Sequence, residues 1–177
     1  VTELSQDCAM QISQLITIMT QNASRIDALV EGVNSEQARW KPAPDSWSVL
    51  EVINHLYDEE REDFRVRLDI ILHKPDKSWP PIDPQGWVSL RSYNERALGE
   101  SLKNFHDERQ ASIAWLNALK QPDWEKTYQA SFGSIRAGDI MASWVIHDHL
   151  HMKQLSRLLA AHTDTLVDPY DSTYAGG

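Results

Sequence analysis

The segment Trp144-Val145-Ile146-His147-Asp148-His149-Leu150-His151-Met152-Lys153-Gln154-Leu155 decides the fold, because it reads differently as strand and as helix. A strand would point His147, His149 and His151 to one side. A helix puts His147 and His151 on one face and turns His149 about 200° away. The flanks choose the helix: Ile140, Trp144, His147, His151, Leu155 and Leu158 recur at steps of four, three, four, four and three. That is one continuous apolar stripe, and two histidines interrupt its core-facing seam.

The same period runs outward through the chain. Leu4, Cys8, Ile12, Leu15, Met19, Ile26 and Val30 share a helix face, ended by Gly32 and Asn34, with Pro42 and Pro44 preventing a quick restart. A second helix is expected from Asp45–Ser48 to about His73, with Asp45 or Ser46 as its cap and Glu51 in its first turn, where an acid suits the helix dipole. The stretch from Lys74 to Leu90 holds Pro75, Pro80, Pro81, Pro84 and Gly86 with Trp79 and Trp87. A structureless connection that long suggests a functional flap or a crossover to a non-adjacent helix, with tryptophans pinning it to the bundle as the packing-only version. A third helix reads from about Ser92 to Leu119. Pro122 and Asp123 end it, and an irregular region follows to Gly133. The fourth spans roughly Ala137 to Ala161, and a polar tail follows His162. The expectation is an all-α four-helix bundle with a long crossover connection, one domain over 1–165 and a tail over 166–177.

Composition narrows the function. The formal net charge of −9, with no basic stretch to offset it, argues against nucleic acid or an anionic membrane as partner. No apolar run approaches the roughly 20 residues that cross a bilayer. No basic region followed by an apolar stretch opens the sequence, so a cytoplasmic address is expected, although the first residue, Val1, leaves room for an upstream segment. The lone cysteine, Cys8, rules out an internal disulfide framework and reads as a small buried hydrophobe.

Histidines at i and i+4 on a helix can offer two imidazole nitrogens to one metal ion. The H-E-x-x-H motif is absent, since no Glu follows His147, so a third ligand has to come from elsewhere. His55, within Val52-Ile-Asn-His55-Leu-Tyr-Asp58-Glu59, is the candidate, because its apolar flanks turn it inward. Three neutral imidazoles with an open position suit zinc, nickel or another late first-row divalent ion. A hydrogen-bonded core residue is the bland alternative for each. Glu59, four residues past His55, is the candidate catalytic residue, as a general base, an acceptor for an imidazole N–H or a fourth ligand. Asp58 could serve similarly. Trp47 and Trp144 read as packing around the site, Gln154 as a residue that could orient a ligand, and His149 as a surface residue. A ferritin-like di-metal site lacks its carboxylates and its paired E-x-x-H motifs.

Two segments, Asp45-Ser-Trp47-Ser-Val-Leu-Glu51-Val-Ile-Asn-His55-Leu and His147-Asp-His-Leu-His151-Met-Lys-Gln154-Leu155, resemble the DinB-like superfamily, which includes YfiT-type and thiol-dependent transferase proteins. The pieces come in the family's order, about 90 residues apart, in a chain of the usual length. The resemblance implies a four-helix bundle with one long crossover, metal ligands at His55, His147 and His151, and a homodimer. Leu150 stands where many relatives carry a further histidine. A three-histidine site with an open position can lower the pKa of bound water or of a bound thiol. The resemblance implies a small-molecule substrate, with a low-molecular-weight thiol as cosubstrate in an S-transferase, or water as nucleophile in a hydrolase. A non-catalytic metal-binding or stress-response bundle is the alternative. A carboxylate-bearing thiol would want a basic mouth. Arg61, Arg65, Arg67, Arg91, Arg96 and Arg136 are the basic residues nearby in sequence, and most of them read as solvated helix faces.

Overall fold

The computed structural model describes residues 3–175, with side chains from Ile12 onward, so the reading of Cys8 lies outside the described residues. Helix α1 (Glu3–Val30) is followed by a short α2 (Ser35–Arg39), whose N-cap Asn34 accepts from the backbone N–H groups of Glu36 and Gln37. Helix α3 (Val49–Asp58) passes through a π-helical turn (Glu59–Phe64) into α4 (Arg65–His73), forming one long element. Then come α5 (Pro84–Leu90), a 3-10 turn (Tyr93–Glu95) and α6 (Leu98–Ala118). A hairpin of β1 (Thr127–Ala130) and β2 (Gly133–Arg136) precedes α7 (Ala137–Asp164).

The sequence places the long helices well and misses at their edges. The cap of α3 is Ser48, not Asp45 or Ser46. Its side chain accepts from the Glu51 N–H while the Glu51 carboxylate accepts from the Ser48 N–H, a reciprocal capping box. The third helix starts at Leu98 rather than Ser92, because Ser92 adopts a left-handed backbone (φ 48°) that no α-helix continues. The irregular region before α7 holds the hairpin, paired from Thr127↔Arg136 to Ala130↔Gly133. Gly133 supplies the positive φ of 130° at its tight turn.

Contacts fix the directions of the helices. Asn22 bonds Asp148, and Ile26 packs with Leu155, so α1 and α7 run parallel. His106 meets Asp27 and Arg109 meets the Met19 carbonyl, so α6 runs against α1. Asn54 donates to Ser101 and Arg65 to Ser112, so α3–α4 lies beside α6 in the same direction. Trp47 against His151 and Phe64 against Trp144 set α3–α4 antiparallel to α7. Because α3–α4 and α6 are successive long elements yet parallel, the chain must return along the bundle, and a helix from Val49 to His73 is roughly 37 Å long. The long crossover therefore joins neighbours, not a non-adjacent pair as the sequence suggests. Tryptophans do pin it: Trp79 stacks on Tyr128 at 4.5 Å, and Trp87 packs with Val88 and Tyr93 under the Arg91 guanidinium.

One buried polar network ties the four long elements together. Arg109, 2% exposed, donates through Nε and Nη2 to the two oxygens of Glu60, both at 2.9 Å. Its Nη1 and Nη2 reach Asp148 at 2.8 and 2.7 Å, and Nη1 also bonds the Met19 carbonyl at 3.0 Å. All of its donors are thus used, as burial of a guanidinium requires. The Trp144 indole donates to Glu60, and Asn22 donates to Asp148. The π-turn brings Glu59, Glu60 and Asp63 into the interior together, in keeping with the occurrence of such turns near functional sites.

Candidate metal centre

His55 comes from the last turn of α3, and His147 and His151 from the middle of α7, where the antiparallel pairing of these elements brings them level. The Nε2 atom of His147 lies 3.1 Å from Nε2 of His55 and 3.1 Å from Nε2 of His151. One ligand atom from each residue falls within 4.8 Å of the other two, and no other such group of His, Cys, Asp or Glu occurs among the described residues. The sequence-based set of His55, His147 and His151 is therefore brought together.

Hydrogen bonding at the rim sets the tautomers. The Nδ1–H of His151 donates to the Gln154 side-chain oxygen at 2.8 Å, which leaves Nε2 of His151 as a lone pair. A proton on His147 Nε2 can point at only one of its two neighbours, so the other 3.1 Å contact is left without a hydrogen bond. A cation at the centre removes that conflict. Nitrogens held about 2.0–2.1 Å from a tetrahedral ion lie about 3.3 Å apart, close to the spacing here. The residues present fit a divalent metal. Burial, and then the charge His151 would carry, pushes the His55 pKa down to about 3. Burial, then His151, His55 and Arg109, pushes His147 to about 2. Burial also lowers His151, against opposing contributions from Gln154 and Asp148. All three are neutral at physiological pH, the form that ligates.

Glu59 sits behind the site rather than in front of it. It is 4% exposed, with Oε1 3.9 Å from His55 Nδ1, and its carboxyl meets that of Asp63. Burial first, then neighbouring Asp63, raises its pKa to about 8. Asp58 points elsewhere: Tyr93 Oη–H donates to it, and Arg61 and Arg91 pair with it. His149 is exposed, as the helical phase requires.

A cavity of about 650 Å3 opens onto the His55 and His151 rings between Trp47, Pro84, Gln85, Gln154 and Arg157. Trp47 forms a wall, 4.8 Å from the His55 ring and stacked parallel to the His151 ring at 6.3 Å. Pro84 and Gln85 bring the crossover to the rim, so that segment serves both packing and the site. The basic residues sought in the sequence are engaged elsewhere. Arg61 and Arg91 pair with Asp58 and Glu62, Arg65 with Glu108, Arg67 with Asp63, and Arg136 with Asp139 and Glu125. Arg96 donates to Asn54. Only Arg136 of these six has a mainly solvent-facing side chain or simple surface pairing, so the solvated-face reading fails for the rest. Arg157, Glu60, Arg109 and Asp148 were not singled out from the sequence. The last three were visible as charges on apolar stripes, such as Leu102, Phe105, Arg109, Ser112, Leu116 on α6.

Comparison with known proteins agrees with this architecture. The structure is similar to YfiT from Bacillus subtilis, which is described as a probable metal-dependent hydrolase with an unusual four-helix bundle topology. The TM-score is 0.73 at 20% identity, covering 85% of this chain and 89% of that one. No curated protein matches the sequence. No helix among the described residues is long and apolar enough to cross a membrane. The family model of the DinB superfamily matches residues 18–155, a span that includes all three converging histidines, and the chain belongs to that superfamily.

Proposed function

We propose that His55, His147 and His151 hold a divalent metal ion, zinc, nickel or a similar late first-row ion, and that the protein is an enzyme that transfers a group to a low-molecular-weight thiol. The observation that carries the reading is the convergence of three imidazoles beside an open cavity, with Nε2 of His147 3.1 Å from Nε2 of both His55 and His151. When bound, such an ion ionises a ligated thiol, or water, near neutral pH.

The chain's own residues supply the rest. Gln154 fixes the His151 tautomer, and Glu59 lies where it can take up the Nδ1 side of His55, a positioning role rather than that of a base meeting substrate. Trp47 excludes water from one side of the rings. Among the residues lining the cavity Asp45 is the only carboxylate, and it stands at the exposed rim. Hydrolysis asks for a nearby base or acid to move protons, whereas a thiol already ionised needs none, and this favours transfer. Hydrolysis is the second reading, favoured by the description of YfiT.

Metal analysis of His55→Ala and His147→Ala tests the site: each variant is expected to lose most of its metal with the helical fold kept. Unchanged metal content in both would refute it. Titration of cobalt-loaded protein with small thiols is expected to give a sulfur-to-cobalt charge-transfer band. No band together with turnover of esters or amides selects hydrolysis, and neither band nor turnover selects a non-catalytic metal-binding protein.

A further inference from the structure

Arg157 stands apart from every other arginine of the chain. Among the described residues it is the only arginine with no hydrogen bond or ion pair to the protein, although the chain carries an excess of acidic groups. It lines the cavity that leads to His55 and His151. A free guanidinium is the fork-shaped donor best matched to a carboxylate or phosphate.

Its position gives a direction. Arg157 follows His151 by six residues, about 9 Å further along the axis of α7 and about 120° around it. Gln154 lies between them, and with its oxygen engaged by His151 it keeps its NH2 for another acceptor. The charge of the cavity points the same way. Three neutral imidazoles add nothing, Arg157 and a divalent ion are positive, and Asp45 is the only opposing carboxylate in the lining. Asp45 offsets Arg157, so the lining becomes net positive with a divalent ion bound, on a chain of net charge −9, an arrangement that draws in anions.

We propose that Arg157 is an anion-binding subsite of this cavity, selecting small substrates that carry a carboxylate or phosphate at the far end from the atom presented to the three histidines, across the distance from the centre to Arg157. Acids too short to span that distance gain nothing from it. Neutral molecules of the right length lose its contribution. The inference rests on the metal-site reading of His55, His147 and His151, and its test separates the two.

The test is ligand binding to cobalt-loaded protein, followed in the visible spectrum after metal analysis has established cobalt content. The probes are 6-mercaptohexanoate, 6-mercaptohexanol, mercaptohexyl phosphate and the short mercaptoacetate, with hydroxamates of matching length as ligands that do not require thiol chemistry. The long anionic probes are expected to bind about tenfold tighter than the alcohol, as a charge-assisted hydrogen bond allows. The carboxylate and phosphate arms show which anion is preferred. Arg157→Ala is expected to abolish the preference while the affinity for 6-mercaptohexanol stays unchanged, and Arg157→Lys to retain part of it. An equal preference in wild type and Arg157→Ala, or no preference over the alcohol in wild type, overturns the subsite while leaving the metal centre standing. Failure of the thiols alone, with the hydroxamates still showing the Arg157-dependent preference, removes the thiol reading and keeps the subsite. Protein that takes up no cobalt overturns the metal reading and this inference with it.

Discussion

Replacing Arg109 by Met is the most informative perturbation of the fold. It removes the guanidinium that bonds both oxygens of Glu60 and both of Asp148, and leaves two carboxylates, 2% and 0% exposed, without a counter-charge. Breaking a buried ion pair from one side costs about 3–5 kcal/mol. At about 2.1 cal/mol/K per residue, a chain of this length has an unfolding entropy that converts this to a fall of about 8–13 °C in Tm. Neutralising both acids in Arg109→Met/Glu60→Gln/Asp148→Asn should restore a large part of the loss. The assay is urea and thermal unfolding by far-ultraviolet circular dichroism, each variant against wild type. A deficit below about 1 kcal/mol, or one of the same size in the triple variant, refutes the argument that Arg109 neutralises a buried acidic pair.

Other outcomes follow from single features. Gln154→Leu removes the acceptor that fixes the His151 tautomer, and metal affinity measured by chelator competition is expected to fall about 10- to 100-fold with α7 intact; unchanged affinity would show that Gln154 has no part in the centre. Ser48→Ala removes half of the capping box of α3, for a loss of about 1 kcal/mol in urea unfolding, and Ser46→Ala, which caps nothing, should lose almost none. Chelator-treated protein should lose stability as the pH falls. The folded-state values of His55 and His147 lie near 3 and 2, below the unfolded value, so their stabilisation is present above about pH 6.5 and declines below it, by about 2 kcal/mol per histidine at about pH 5. A flat profile between about pH 7 and pH 5 would contradict the depressed values.

Much of this was legible because helices announce themselves by period. The stripe from Ile140 to Leu158 puts His147 and His151 on one inward face, and the apolar flanks of His55 turn it inward too, so periodicity makes the three candidates for one cluster and the family resemblance pairs them. Direction was not legible. Periodicity says which face of a helix is buried but not whether its neighbour runs with it or against it, so the crossover could be seen as long without its reason, the parallel α4 and α6. Charges inside apolar stripes were passed over. Arg109, Glu60 and Asp148 each occupy a core position, but only three-dimensional proximity shows that they compensate one another. The hairpin over 127–136 was missed because a four-residue strand carries too little pattern to register, and Arg157 because an unpaired charge is defined by its surroundings.

The π-turn at Glu59–Phe64 makes the second bundle element two helices on one axis with different phases. Each hydrogen bond there closes one residue further along than in an α-helix, so the stretch holds about one residue more than straight α-geometry would need. Upstream, the phase is set by His55 against α7. Downstream, it is set by Leu68 and Ile71 in the core with Met141 and Trp144. Relaxing the turn to α-helix at its present length would rotate one half against the other by about 100°. Either the histidine would leave its partners or the leucine would leave the core. Deleting one residue between 59 and 64 instead allows a straight α-helix with both halves in their present phase, so this stretch is expected to accept a deletion that any other part of the element would not.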